Sequence, residues 1–267
     1  MHGVYVAAQV RDSTALRIAS LRLVVPDDAV VCDRHAGWIH GADMILAPGE
    51  HLHARPIRIF RPAGTARLRR AGIDGGQRAL LARDVEDVEG LLVTTRLRTA
   101  LDLGRQGSRA AAISGIDAML RLGVDVVEVV AEVDRFVGDR WVRTLREVAP
   151  LGSSLSASAG ESATKLAWYD VTGTMPDLQI RVTGPGGGWA DLDLGSSALR
   201  FAVEYDGEEW HDEPDQVERD RVRRQHIERA HDFDIEVVRK ANVYGPERDI
   251  EDVIRRGLLR NRLRFVA

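Results

Sequence analysis

The sequence is nearly free of lysine and cysteine. Lys165 and Lys240 are its only lysines, so arginine supplies almost all of the positive charge of the 267-residue chain. Cys32 is its only cysteine, which excludes an internal disulfide and a cysteine-rich zinc site. No apolar run approaches the roughly 20 residues that span a bilayer, and the chain does not open with the basic and apolar segments of an export signal. These absences predict a cytoplasmic protein without a membrane partner.

The sequence also lacks a strong excess of positive charge. Its formal net charge is −4 at pH 7, whereas proteins that coat nucleic acid through bulk electrostatics are strongly basic. Hydrophobic residues make up 44% of the chain and charged residues 29%, which is typical of a soluble globular protein. Any contact with DNA would therefore need local basic patches.

A stretch rich in serine and other small residues divides the sequence. It predicts a first domain over residues 1–150, a linker over 151–157 and a second domain over 158–267. The first domain is predicted to be a mainly helical α+β domain with a strand over residues 56–60. The second is predicted to run helix, three strands, helix, strand and helix. This order gives a compact α/β domain with a small mixed sheet.

Two neighbouring segments of the second domain alternate apolar and acidic residues. Residues 190–195 and 201–206 show the two-residue period of strands, and the linker between them is short enough for a hairpin. Up to four carboxylates, those of Asp191, Asp193, Glu204 and Asp206, are therefore expected to lie close together on one face of the sheet. Like charges at such distances destabilise the fold unless a cation lies among them. Oxygen ligands on strands suit Mg²⁺ or Mn²⁺, so the pattern predicts a metal-dependent active site.

The second half resembles the restriction-endonuclease-like (PD-(D/E)XK) superfamily, and within it the domains related to very-short-patch repair endonucleases. The resemblance covers residues 155–260 and rests on an ordered set of motifs: Asp193, Glu204 eleven positions later, Asp206-Gly207, His211, Arg219-Asp220 and Arg223. It implies a restriction-endonuclease-like α/β fold, DNA as the substrate and Mg²⁺ or Mn²⁺ as the cofactor. The sequence departs from the superfamily at Asp206, which stands where a lysine is usual.

The resemblance assigns catalytic roles to four residues of this half. Asp193 and Glu204 would bind the metal ion. Asp206 would be a further ligand, directly or through water, or would orient His211; alternatively, it belongs to a turn. His211 would act as a general base or acid, because the unperturbed pKa of histidine is ~6.5, or is a surface histidine before a helix.

Further residues have two interpretations each. Glu161 would complete the metal shell, or it belongs to a capping box that starts at Ser158. Arg219 and Arg223 lie one helical turn apart and would bind phosphate, or they form a salt-bridge face on the helix surface. Asp206 stands where the superfamily usually has a catalytic lysine. Lys240, Arg223 or a second metal would supply the positive charge of that lysine instead. The predicted nucleic-acid-binding residues are therefore Arg219, Arg223 and Lys240.

The first half resembles a region similar to the AbiEi antitoxin. Residues 36–41 and 92–103 carry this resemblance. In relatives with this layout a winged helix-turn-helix often comes first. The chain is expected to lack this element, because it begins too late to contain one, which weakens its interpretation as a sequence-specific repressor.

Three functions follow from these motifs. The leading hypothesis is a Mg²⁺-dependent endonuclease that hydrolyses DNA phosphodiester bonds behind an N-terminal recognition or regulatory domain. The alternative is a non-catalytic, antitoxin-like or regulatory nucleic-acid-binding protein that keeps the nuclease fold, which Asp206 in the lysine position favours. The third is a component that needs a partner subunit or a methylation mark before it cleaves. A homodimer or a partner subunit remains open.

Overall fold

The computed structural model describes residues 4–7, 9–43, 56–66, 68, 72–207 and 214–266. The chain forms two compact units, residues 1–154 and 155–267, which we call the first and the second domain. Both are α/β, and each contains a mixed sheet. Throughout the described ranges, every helix is too short or too polar to cross a membrane.

Four of the six α-helices described in the first domain begin at capping side chains. The six helices are α1 (Thr14–Arg22), α2 (Asp33–Ile39), α3 (Arg96–Gly104), α4 (Arg109–Leu120), α5 (Val126–Glu132) and α6 (Val142–Val148). The side chains of Ser13, Thr95, Ser108 and Asp125 accept hydrogen bonds from backbone N–H groups in the first turns of α1, α3, α4 and α5. Such caps satisfy N–H groups that have no partner within the helix.

The first domain contains a five-stranded sheet of which the sequence predicted only one strand. The strands are β1 (Val30–Val31), β2 (Ile57–Pro62), β3 (Ile73–Arg78), β4 (Val85–Val88) and β5 (Leu91–Thr94), in the order β3-β2-β1-β5-β4. Strands β1, β4 and β5 are too short to show a clear alternation. Strand β3 contains glycine, which has a low strand propensity. A Cβ atom on Gly75 would lie 2.0 Å from the carbonyl oxygen of Ile59, so this close pairing requires glycine.

A network of buried ion pairs holds α3 in the first domain. The guanidinium of Arg98 lies 2.7 Å from Asp84 and 3.1 Å from Asp102, and all three side chains are at most 3% exposed. Arg105 and Arg78 reach Asp102 at 2.7 and 3.0 Å. Each of the two buried aspartates is therefore compensated by at least one arginine, which buried charges require.

The second domain has the order of elements that the sequence predicted, with one additional short helix, α9. It consists of α7 (Ala159–Thr172), β6 (Asp177–Thr183), β7 (Trp189–Ser196), β8 (Phe201–Asp206), α8 (Pro214–His231), β9 (Asp234–Arg239), α9 (Lys240–Val243) and α10 (Ile250–Val266). The sheet order is β6-β7-β8-β9. Strand β7 is antiparallel to β6 and β8, whereas β9 is parallel to β8 and follows it through the crossover helix α8.

Strand β8 lies between two helices. Phe201 stacks on Trp168 of α7, with the ring centroids 5.9 Å apart. Ala202 is part of a buried cluster that includes Ile227 of α8. Because successive side chains of a strand point to opposite faces, α7 and α8 cover opposite faces of this sheet.

Candidate functional site

Asp193 lies where the pairing of β7 with β8 ends. Leu194 pairs with Val203, so the same register would place Asp193 opposite Glu204. Instead, Oδ2 of Asp193 accepts a 2.8 Å hydrogen bond from the backbone N–H of Tyr205. The side chain thus takes the place of a ladder hydrogen bond and fixes the point at which the two strands separate.

The carboxyl of Asp193 is placed in an environment that disfavours its negative charge. Its pKa is raised to about 7, chiefly by burial and also by the carboxylates of Glu161 and Glu204, whereas the Tyr205 N–H and Arg223 act to lower it. Near neutral pH this carboxyl is therefore protonated in a large fraction of molecules. The structure brings Glu161 and Glu204 close enough to Asp193 to affect its charge.

Glu204 is buried, with 6% of its surface exposed, and it is paired with two arginines of α8. Nη2 of Arg223 donates a 2.7 Å hydrogen bond to Oε1 of Glu204, and Nη1 of Arg224 lies 3.7 Å from Oε2. Because an arginine stays charged at all pH values relevant to proteins, the pair compensates Glu204 as a bound cation would.

Glu161 occupies the first turn of α7 and is 9% exposed. Its Oε2 accepts a 2.8 Å hydrogen bond from the backbone N–H of Ala157, and the Ser158 hydroxyl accepts one of 3.1 Å from the Glu161 N–H. This arrangement is close to a capping box, with Ala157 in place of the usual N–H of the capping residue. Of the two interpretations of Glu161, the capping role is the one with observed hydrogen bonds.

Three further predicted site residues are described by the structure. Asp206 is 43% exposed at its side chain and 3.3 Å from Nη2 of Arg239. Arg219 is exposed on α8, and Lys240 begins α9. His211 falls outside the described residues.

No group of three histidine, cysteine, aspartate or glutamate side chains that could hold a metal ion exists within the described residues. Helices α7 and α8 cover opposite faces of the sheet. Glu161 belongs to α7, whereas Glu204 contacts α8 through Arg223.

Sequence reasoning missed the role of Arg223 and Arg224. It assigned the basic residues of α8 to phosphate or to Asp220, because it did not fix which face of the helix meets the sheet. A signal was present, since the apolar residue Ile227 follows Arg223 by one helical turn. The turn that buries Ile227 also directs Arg223 towards β8.

Comparison with known proteins identifies relatives of the chain. Residues 29–151 match the family described as the AbiEi antitoxin C-terminal domain, which confirms the resemblance of the first half. Two curated Mycobacterium tuberculosis proteins, named "Uncharacterized protein Rv2248" in strain H37Rv and "Uncharacterized protein MT2308" in strain CDC 1551, are each 31% identical over 223 residues. The alignment covers 83% of this chain and 78% of each relative. No solved structure matches.

Proposed function

We infer the function from one premise: the chain belongs to the family of the two mycobacterial proteins, and its residues 29–151 match the AbiEi antitoxin C-terminal domain. We propose that it is a non-catalytic regulator of the toxin–antitoxin or abortive-infection type. It would act in the cytoplasm, bind DNA and engage a toxin as its protein partner. The second domain would keep a nuclease-like arrangement of strands without the chemistry.

One observation supports the absence of catalysis. Arg223, 2.7 Å from Glu204, compensates the most buried carboxylate of the candidate site from within the chain. A metal ion on Glu204 would have to displace this hydrogen bond and would then lie beside two guanidinium groups, which repel it. The arginine pair thus occupies the electrostatic role that a catalytic cation would have.

DNA binding would depend on local arginines, because the whole chain is acidic. Arg219 is exposed on α8 and one turn from Arg223, as a phosphate contact requires. Each phosphate that a basic residue neutralises releases counterions, so binding would weaken steeply as salt rises.

Fluorescence anisotropy tests this proposal. The full chain is titrated into a labelled duplex of about 30 bp from upstream of its own coding region, and into an unrelated duplex, between about 50 and 200 mM salt. We expect tighter binding to the first duplex, and a salt slope lower by about one for Arg219→Gln. Arg255→Gln is the matched control, because Arg255 is an exposed arginine of α10. It should leave the salt slope unchanged. Equal weak binding to both duplexes would contradict the DNA-binding proposal.

The second candidate is the Mg²⁺-dependent DNA endonuclease of the restriction-endonuclease-like superfamily. The neighbourhood of Asp193, Glu161 and Glu204 favours it, because buried like charges create a demand for a cation. Sheet order β6-β7-β8-β9 with α8 as the crossover is also in keeping with it. The described residues contain no group of three ligand side chains that could hold a metal ion, so we derive no catalytic step.

Plasmid cleavage distinguishes the two candidates. Wild type and Asp193→Asn are incubated with supercoiled plasmid and Mg²⁺ or Mn²⁺, and the products are separated by agarose electrophoresis. The regulator proposal predicts equally intact plasmid for both proteins. Nicking or cleavage by wild type that Asp193→Asn abolishes would replace it with the endonuclease. Calorimetry with Mn²⁺ provides a second readout, since only the endonuclease requires a site that Glu204→Gln removes.

A further inference from the structure

The first domain contains a polar pocket that the proposed function does not use. Its volume is about 530 Å³, within the range of pockets that hold small organic ligands. Five arginines contribute to its lining: Arg34, Arg58, Arg78, Arg105 and Arg140.

The acidic residues of the pocket do not balance these arginines. Among the residues that the structure describes, the lining contains three aspartates, Asp33, Asp74 and Asp102. Arg58 lies 2.9 Å from Asp74, and Arg78 lies 2.6 Å from Asp33. Asp139, outside the lining, also pairs with Arg105 at 2.6 Å. Among the described residues the five lining arginines still outnumber these four aspartates, so the pocket carries a positive charge that suits an anionic ligand.

Several of the guanidinium groups are already held in place. Arg78 bridges Asp33 and Asp102, and its Cζ lies 3.7 Å from the ring centroid of Phe60. Arg105 bonds Asp102, and its buried Nε has no hydrogen-bond partner among the described residues. Groups that are fixed before binding lose little conformational entropy when a ligand arrives.

An aromatic ring forms part of the pocket wall. Trp141 is 43% exposed, and its backbone has a φ of 64°, a conformation that few non-glycine residues adopt. Its ring lies against Gly107, where a Cβ atom would be 3.0 Å from the ring, and Cζ of Arg140 lies 5.0 Å from the ring centroid. Asp33, also in the lining, has a φ of 55°. Strained backbone of this kind gathers at ligand sites.

We propose that this pocket binds a nucleoside phosphate. Its phosphate groups would lie against the arginines, which bind phosphate oxygens in pairs of parallel hydrogen bonds. Its base would stack on the exposed face of Trp141. A concave pocket of this size suits a free small molecule rather than the convex backbone of a duplex. The inference goes beyond the proposed regulator and does not depend on it.

Calorimetry on the full chain tests the proposal with three probes: ATP, AMP and inorganic pyrophosphate. We expect ATP to bind more tightly than AMP, because it carries more negative charge. Arg58→Gln and Arg140→Gln should each weaken ATP and pyrophosphate about tenfold. Trp141→Ala should weaken ATP about tenfold and leave pyrophosphate unchanged, because pyrophosphate has no base.

Matched controls separate the pocket from general charge and folding effects. Arg143→Gln removes an exposed arginine of α6, and Trp189→Ala removes an exposed tryptophan of the second domain; neither should change ATP affinity. Far-UV circular dichroism checks that each variant is folded. If Arg58→Gln unfolds, Arg140→Gln still tests the proposal, because Arg140 is exposed and its substitution should not disturb the core. No heat of binding with ATP at millimolar concentration overturns the proposal. An equal loss of ATP and pyrophosphate affinity in Trp141→Ala would also overturn the proposal. The same holds if the chain binds a short oligonucleotide but not ATP.

Discussion

Arg223 on α8 donates a 2.7 Å hydrogen bond to the carboxylate of Glu204 on β8. The contact joins the crossover helix to a central strand, and the glutamate side chain is 8% exposed while the arginine side chain is 30% exposed. It has two consequences: a structural contribution to the second domain, and an obstacle to any cation that would approach Glu204.

Removing this arginine should destabilise the second domain. Arg223→Met keeps an apolar stem but leaves Glu204 with only the more distant Arg224. We expect the free energy of unfolding to fall by about 2 kcal/mol, below the loss for a fully buried pair because Arg223 is partly exposed. Urea unfolding followed by circular dichroism measures the change. Arg221→Met, whose partner Glu218 is exposed, is the control and should cost under ~0.5 kcal/mol; equal losses would contradict the prediction.

Stability should depend on pH through Asp193. Its folded pKa of about 7 exceeds the unfolded value of 3.8, so the unfolded chain loses this proton first. The free energy of unfolding should therefore fall by up to ~4 kcal/mol as the pH rises from about 4 to about 7. Asp193→Asn removes this loss and should be more stable than wild type at pH 8, but not at pH 4. Urea unfolding at each pH provides the measurement.

The control for this pH profile is Asp191→Asn. Asp191 is bonded to Arg181, which holds the pKa of its carboxyl below the usual range. Its stabilising contribution is present above the unfolded pKa and is lost as the pH falls below it. A difference from wild type that grows between pH 5 and 8 for Asp191→Asn, and not for Asp193→Asn, would show that the charge environment is misassigned.

Arg98 should be the most sensitive charge of the first domain. Its substitution by methionine leaves Asp84 and Asp102 buried with fewer charged partners, which we expect to cost about 3–5 kcal/mol. Thermal and urea unfolding measure the loss. Arg83→Met, at a side chain that is 63% exposed and paired with Glu132, should change stability by less than ~0.5 kcal/mol. A mild effect of Arg98→Met would mean that water replaces the lost hydrogen bonds.

Gly160 should not tolerate a larger side chain. A Cβ atom at this position would lie 2.1 Å from a ring atom of Tyr205, so α7 or the ring must shift. Gly160→Ala should lower stability by about 1–3 kcal/mol through overpacking, as measured by thermal unfolding. Gly188→Ala is the control because nothing lies within 4 Å of its added Cβ; a similar loss there would argue against steric overlap as the cause.

The second domain was more predictable from sequence than the first. Strands β7 and β8 carry a strict apolar–acidic alternation, and the proline that opens α8 marks its start. In the first domain, β1 contains two residues and β3 contains Gly75 and Gly76. Such strands form because neighbouring strands and helices hold them, and this information is not local to their sequence.

The candidate site was predictable only in part for a related reason. Spacing along two strands indicated that Asp193 and Glu204 would be neighbours, because strand geometry is regular. The partner of Glu204 depends on the rotation of α8 about its axis, which is set by the burial of Ile227. The sequence could therefore indicate which acids gather, but not that arginines of the crossover helix would compensate one of them.

The linked charges around α3 place a constraint on evolution. An ion-pair series of alternating sign ends in the wall of the polar pocket of the first domain; its members are Asp84, Arg98, Asp102, Arg78 and Asp33. Replacing any single member leaves the charge of its neighbour without a partner. We therefore expect these positions to change together among homologues, through paired substitutions rather than single ones. Divergent homologues that lose the Asp84–Arg98 pair should then also lose Arg78 and, with it, the ability to bind the proposed ligand.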